Sequence, residues 1–425
     1  MGAPASIARR RLILLGDFGA GQIVTQLLTM LAGFVALRAM SVSDFAQYSL
    51  AFGFTSVLGS LVDAGLTRSI IALVGERTAD SELIARYVAV ARRKRNLVAA
   101  ILAPFAAVLF MVLSEDRGWS LLTRILLVAG ILASVWLQGS LAMYGTPLLI
   151  RSDLRRFYVP QSSGSAGRLA GFGIAALFGL LTPVIAIALN LAYFGFLGNR
   201  LRHASLREIP DRRGVDPELS ATMNAYLRPL WPSIVFFAAQ SQLAIFVVAA
   251  FASTRTIGEV AALGRIGALF VILWAVNGVL VEPFLARTPQ ALLVRRYLSV
   301  LGLAVLGGLA LSVAAALEPR PILWLLGGQY DHLREEAALT VLSASVNFVA
   351  IVLWTMNNAR RWVFGWQTAL YIALTLATQV TSALALDLST TRGAVLFGVW
   401  TNVALLVAHA VGARHGLRRS LARAT

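Results

Sequence analysis

Residues Phe34–Arg68 read FVALRAMSVSDFAQYSLAFGFTSVLGSLVDAGLTR. An apolar run ends at Arg38, a polar elbow follows at Ser41, Ser43 and Asp44, and a second long apolar run carries one acid, Asp63. The pattern predicts a helical hairpin in hydrocarbon with a charge in its second arm. A weaker copy runs from Phe246 to Phe284, so the chain is expected to consist of two hairpin-led halves.

Composition agrees. Of 425 residues, 58% are hydrophobic and 13% charged, too little polar surface for a water-soluble fold of this length. The apolar residues come in runs of about 20, the length that crosses a ~30 Å hydrocarbon layer. The alternating ~10-residue segments of a membrane β-barrel are missing. The expected class is therefore an all-α polytopic membrane protein. There is no cysteine, which excludes disulfides and thiol chemistry. Arg9, Arg10 and Arg11 precede an apolar run too long for a signal core, which predicts an uncleaved first span.

Twelve candidate spans follow: Leu12–Leu37, Phe45–Val74, Leu97–Leu113, Leu121–Tyr144, Phe157–Leu181, Pro183–Leu197, Tyr226–Phe251, Ile257–Phe284, Tyr297–Leu317, Ala337–Met356, Trp362–Leu386 and Gly393–Val411. The loops test the count. Alternate loops hold 26 basic residues, among them Arg92 to Arg95, against 7 in the other set. By the positive-inside rule this bias places both termini in the cytoplasm. It also accounts for the net charge of +17 through topology, so nucleic acid is not an expected partner.

The stretch Phe34–Ala51 repeats as Phe246–Leu263, and Arg155-Arg156-Phe157 repeats as Arg360-Arg361-Trp362. Six-span repeats in one orientation imply two pseudo-symmetric six-helix lobes around a central cavity. The expected division is an N-terminal lobe at 1–198, a cytoplasmic inter-lobe loop at 199–225, and a C-terminal lobe at 226–425 with a basic tail.

Enzyme signatures are missing: there is no Walker loop, HExxH, GxSxG or Asp-x-Asp. No catalysis, cofactor or metal is expected, and the four histidines, placed in loops, a tail and one helix end, lack ligand spacing. Gly16, Gly19 and Gly21 lie in an apolar span and signify close helix packing.

Intramembrane charge carries the functional signal, since a charge at a helix centre costs roughly 2.5–3.5 kcal/mol and usually faces an interior. Arg168 sits mid-span among Gly164, Ser165, Gly167 and Gly171, and Arg265 sits between Gly264 and Gly267. With Arg68, Asp63, Gln240 and Asn277 they form the candidate substrate-binding set; Gln242, Asn347 and Gln367 are further polar residues within spans. For each of these the competing role is structural: an ion pair for Asp63, a helix–helix hydrogen bond for the amides. Arg228 and Glu282 lie near span ends, where snorkelling explains them. Arginine in excess of acid suits an anionic head group, because guanidinium binds phosphate bidentately and stays charged.

The run Arg38-Ala39-Met40-Ser41-Val42-Ser43-Asp44-Phe45-Ala46-Gln47-Tyr48 resembles the first-loop signature of Wzx-type polysaccharide-export (O-antigen) flippases, within the multidrug/oligosaccharidyl-lipid/polysaccharide exporter superfamily, with Ala46 where glycine is usual. Asp63-Ala64-Gly65-Leu66 and Leu325-Leu326-Gly327-Gly328-Gln329-Tyr330 are similar to two further elements of that family. The resemblance implies transport of an undecaprenyl-diphosphate-linked oligosaccharide across a bacterial inner membrane by alternating access. Its implied partners are membrane lipid and a polysaccharide assembly machinery. Two alternatives stand beside it. One is a cation-coupled small-molecule or drug exporter of the same superfamily, which Asp63 keeps open. The other is a membrane polysaccharide polymerase, disfavoured by short outer loops.

Overall fold

The computed structural model describes the backbone of residues 3–422 apart from Asp116, Arg213, Ser241 and Val363. Side chains are described from Gly21 to Ser420, apart from those four and Ala244, Val271, Ile272, Trp274, Ala275, Val276, Gly278 and Val279. The side chains of Arg9 to Arg11, Gly16 and Gly19 lie outside the described residues.

Every described element is a helix. In chain order they are α1 (Ala3–Ala39), α2 (Val42–Asp63), α3 (Leu66–Val74), α4 (Ser81–Leu113), α5 (Leu121–Ile150), α6 (Leu154–Leu177), α7 (Pro183–Ser205), α8 (Pro217–Leu227), α9 (Trp231–Gln240) and α10 (Leu243–Phe251). There follow α11 (Thr254–Val276), α12 (Glu282–Ala286), α13 (Gln290–Leu317), α14 (Arg320–Leu326), α15 (Arg334–Ala359), α16 (Gly365–Ala385) and α17 (Thr391–Ala422). Each expected span coincides with a helix or a broken pair. Among the described residues nine are long and apolar enough to cross a membrane, and α9 with α10 makes a tenth, bent by 60°. The count stops short of twelve at α6, which is rich in serine, glycine and arginine, and at α11, several of whose side chains are not described.

The opening hairpin forms as the sequence dictates. Ser41 caps α2, its hydroxyl accepting from the Asp44 N–H at 3.1 Å and donating to the Asp44 carboxylate at 2.8 Å. The repeat uses the same device: Ser253 accepts from the Thr256 N–H at 3.2 Å as α11 begins. Asp63 is the last residue of α2 rather than an interior one. The chain then turns through two left-handed residues, Ala64 (φ 45°) and Gly65 (φ 77°), before α3. Gly65 is needed twice over, for its dihedral and because a Cβ there would meet the Ile234 side chain at 2.8 Å.

The chain divides into two compact units, residues 1–246 and 247–425. In the first, α5 packs most extensively on α7, with α4 and α2 against α5 and α6 against both α1 and α7. The second follows the same order: α15 on α17, α13 and α11 against α15, and α16 against α17. The sequence repeat is thus also a repeat of packing. In each unit the third span, α4 or α13, is the most peripheral, with Phe105 70% and Leu303 72% exposed. In water such surfaces would aggregate; against acyl chains they are the expected exterior.

The segment expected as the cytoplasmic inter-lobe loop packs on the first unit. Ile209, Met223 and Leu227 join a core with Leu66, Ile70, Val74, Ile84 and Tyr87. Its acids engage arginines: Glu208 accepts from Arg151 (2.5 Å) and Arg156 (2.7 Å), Asp211 pairs with Arg92 (3.3 Å), and Asp216 with Arg86. Arg92 to Arg95, expected in a loop, lie on α4, which starts sixteen residues before the expected span, at Ser81.

The hydrogen bond from Arg151, with that from Arg156, holds the Glu208 carboxyl below the usual carboxylate range. A lowered native pKa stabilises above the ordinary glutamate value of ~4.3, and that stabilisation is lost as pH falls through the native one. Glu208→Gln is therefore expected to cost about 1 kcal/mol at pH 7. The thermal unfolding midpoint in detergent reports it, and the gap to wild type should close in acid.

Candidate functional site

Small residues let α6 approach its neighbours, and this buries Arg168. The side chain is 8% exposed. Its Nη1 donates to Asn190 Oδ1 on α7 at 3.3 Å, and its guanidinium carbon lies 4.7 Å from the centre of the Tyr193 ring. Asn190 Nδ2 in turn donates to the Tyr48 hydroxyl on α2 at 3.3 Å. Tyr48 is fixed by Phe172, edge-on at 6.2 Å. Among the described residues no carboxylate pairs with Arg168, its Nε has no partner, and neither has the buried Ser165 hydroxyl one turn earlier. The result is a guanidinium oriented by neutral groups and with donor capacity to spare. A ring and an amide soften its burial without cancelling its charge.

The other expected residues of the first unit fall elsewhere. Asp63 accepts from Thr67 Oγ1 at 2.5 Å across the α2–α3 turn. Arg68, five residues on, is exposed, and Gln240 is half-buried at the end of α9. Arg228 is also exposed. Arg95, unremarked in the sequence beyond its place in a basic run, is 4% exposed and donates to the carbonyls of Val135 and Trp136 on α5. Gly139 makes this possible, because any Cβ there would occupy the guanidinium's place. Asp63 acts on Arg95 through its charge.

In the second unit Arg265 is half-buried on α11 and Glu282 is exposed. Asn277 opens a π-helical turn, Asn277–Val281, and donates to Thr355 Oγ1 at 2.8 Å. Its Oδ1 is buried without a partner. The polar residues Asn347 and Gln367 bond Asn402 (2.8 Å) and His409 (3.3 Å), the helix–helix role open to them from the start. His409 lies on α17, where the last span was expected, and His415, expected in the tail, lies on the same helix.

Glu259 is a buried charge outside the set expected from the sequence. It is 6% exposed and accepts from Arg255 (2.8 Å), His332 (2.9 Å) and Thr391 (2.5 Å), tying α11 to the loop before α15 and to the start of α17. Beside it Tyr330 is fully buried; burial, with the Glu259 charge added, pushes its phenol well up, so it stays neutral. The signal was available, for Glu259 falls opposite Gln47 when the two repeats are aligned.

Comparison by sequence alone, with family profiles and with characterised proteins, finds no match. Comparison of structures does. A multidrug-resistance MATE family transporter of the MOP superfamily, in an inward-facing conformation, superposes with a TM-score of 0.67 at 17% identity, over 93% of this chain and 95% of that one. The lipid II flippase MurJ gives 0.65 at 10% identity, over 93% and 87%. A MOP superfamily transporter from Pyrococcus furiosus gives 0.59 at 15% identity, over 96% and 94%. The chain has the MATE–MurJ fold. Within that fold the quoted motifs have structural places: Ser41 and Asp44 cap α2, Tyr48 supports Asn190, and Tyr330 lies under Glu259.

Asn190→Ala would leave Arg168 without the one side-chain acceptor it has among the described residues. It is expected to cost about 1–2 kcal/mol, read as a lower thermal midpoint in detergent. An unchanged midpoint would mean that the amide does not hold the guanidinium.

Proposed function

We propose that this MATE–MurJ-fold chain is a transporter that moves an anionic lipid-linked oligosaccharide, of the undecaprenyl-diphosphate type, across the bacterial cytoplasmic membrane by alternating access. The product would feed cell-surface polysaccharide synthesis and its assembly machinery. The observation that carries the reading is Arg168: a fixed cation, deep in a helical unit, with no described carboxylate beside it. Retaining such a group costs stability unless its charge is used. A diphosphate offers the charge-assisted, bidentate partner that guanidinium suits best. Arg265, half-buried in the second unit, would supply a further cation, with Arg68, Asp63, Gln240 and Asn277 as polar contacts for the head group. One of the proteins with this fold is a lipid II flippase, which makes lipid-linked cargo compatible with the architecture.

The second reading, a cation-coupled exporter of small molecules, is favoured by the likeness to a multidrug-resistance transporter. Its acids would be Asp63 and Glu259. Both already accept hydrogen bonds, and Glu259 is engaged by three donors, so neither stands ready for a cationic drug. A polymerase is disfavoured, because no described outer loop is long enough to carry a catalytic domain.

Arg168→Ala combined with Arg265→Ala tests the proposal in proteoliposomes loaded with a fluorescent polyprenyl-diphosphate sugar. Each lost contact to a charged group is worth roughly 1.5–3 kcal/mol, so flipping is expected to fall by at least tenfold at equal protein level. Unchanged flipping would overturn the role of the two arginines. Acid-driven efflux of a cationic dye by the wild type, with no sugar-lipid movement, would favour the exporter.

A further inference from the structure

The first unit holds a cavity of about 180 Å³ between α2, α4 and α5 that the transport reading does not use. Val62, Ala99, Ala103, Leu132 and Trp136 are among its walls, and Asn96 is its polar lining residue. The space is partly open and lined mostly by apolar side chains, which suits an apolar group. Three alanines, Ala99, Ala100 and Ala103, line it along α4, and Trp136, another lining residue, is half-exposed.

One rim of this cavity is cationic. Arg93, Asn96, Ala100 and Ala103 recur at helical spacing and so share one face of α4. Arg93 therefore stands one turn from the cavity, on the side of the basic run. Its neighbours in that run are occupied: Arg92 by Asp211 and Tyr144, Lys94 by Asn224, and Arg95 by the α5 carbonyls. Arg93 is exposed and, among the described residues, has no ion pair. Of the acids on this side, Asp211 is paired with Arg92, and Asp63, which follows Val62 of the cavity wall, acts on Arg95 through its charge.

We propose that this is a binding site for an anionic phospholipid of the surrounding bilayer, with its phosphate on Arg93 and part of one acyl chain in the cavity. The two parts do different work. An acyl chain already lies in hydrocarbon, so entering the cavity brings no hydrophobic gain, only the packing contacts that a void would forfeit. Selectivity therefore comes from the charge at the rim. The cavity contributes position: it runs about 10 Å along α4 from Asn96 to Ala103, at 1.5 Å per residue, directly beyond the cation. The site would cement α4, the most peripheral helix of its unit, to α2 and α5. It does not depend on what the protein transports.

Native mass spectrometry of the full-length protein in detergent tests this, with phosphatidylglycerol and phosphatidylcholine of identical chains as probes. The wild type is expected to retain phosphatidylglycerol preferentially. Arg93→Gln should weaken that retention about fivefold, the effect of one basic residue at an anionic surface. Ala103→Trp, which fills the cavity, should abolish the preferential adduct; Ala103→Leu replaces it if the larger variant misfolds. Glycerol phosphate, the head group without chains, should not compete. Equal retention of the two lipids, insensitivity to filling the cavity, or displacement by glycerol phosphate would each overturn the site. No transport is measured, so failure here is distinct from failure of the transport proposal.

Discussion

A buried arginine with no acid paired to it among the described residues is the constraint around which the first unit is built. Hydrocarbon offers no water to solvate a guanidinium, so its donors must be met by protein or cargo. Asn190 and Tyr193 on α7 meet part of that need, and Tyr48 on α2 accepts from Asn190 and so holds it in place. The arrangement fixes where α6, α7 and α2 meet while leaving the charge unneutralised. Arg95 shows the alternative solution in the same unit: backbone carbonyls accept from it over a glycine, and an acid lies within electrostatic reach. One cation is spoken for and the other is oriented but unspent.

The second unit answers the same problem with an acid. Glu259 gathers a guanidinium, an imidazole and a hydroxyl from α11, the loop before α15 and α17, and so joins parts distant in the chain. Its counterpart in the repeat, Gln47, is neutral and also buried. Two units of similar packing have thus diverged in which sign of charge their interiors hold.

Much of the fold was legible because hydrocarbon enforces simple rules. Apolar runs became helices, the Ser41 elbow became a cap, and the repeat of spans became a repeat of packing. Other features were not legible, for identifiable reasons. Hydropathy marks where a helix enters lipid, not where it begins, so α4 extends to Ser81 and takes the basic run with it. The segment after α7 looked like a polar joint because its acids and arginines are evenly mixed. Their pairing with Arg86, Arg92, Arg151 and Arg156 requires the folded unit. Among site residues, Arg168 stood out by its charge, whereas Asn190 and Tyr193 carry no signal that separates them from ordinary span residues. Tyr48 was visible only as the end of a motif.

On the proposed function, the chain recognises its cargo through phosphate charge. The most direct measurement compares, in the same proteoliposomes, flipping of a polyprenyl-diphosphate sugar with flipping of a polyprenyl sugar lacking phosphate. The account predicts movement of the diphosphate lipid at least tenfold faster, the equivalent of roughly 1.4 kcal/mol of recognition. Equal rates for the two lipids would contradict it.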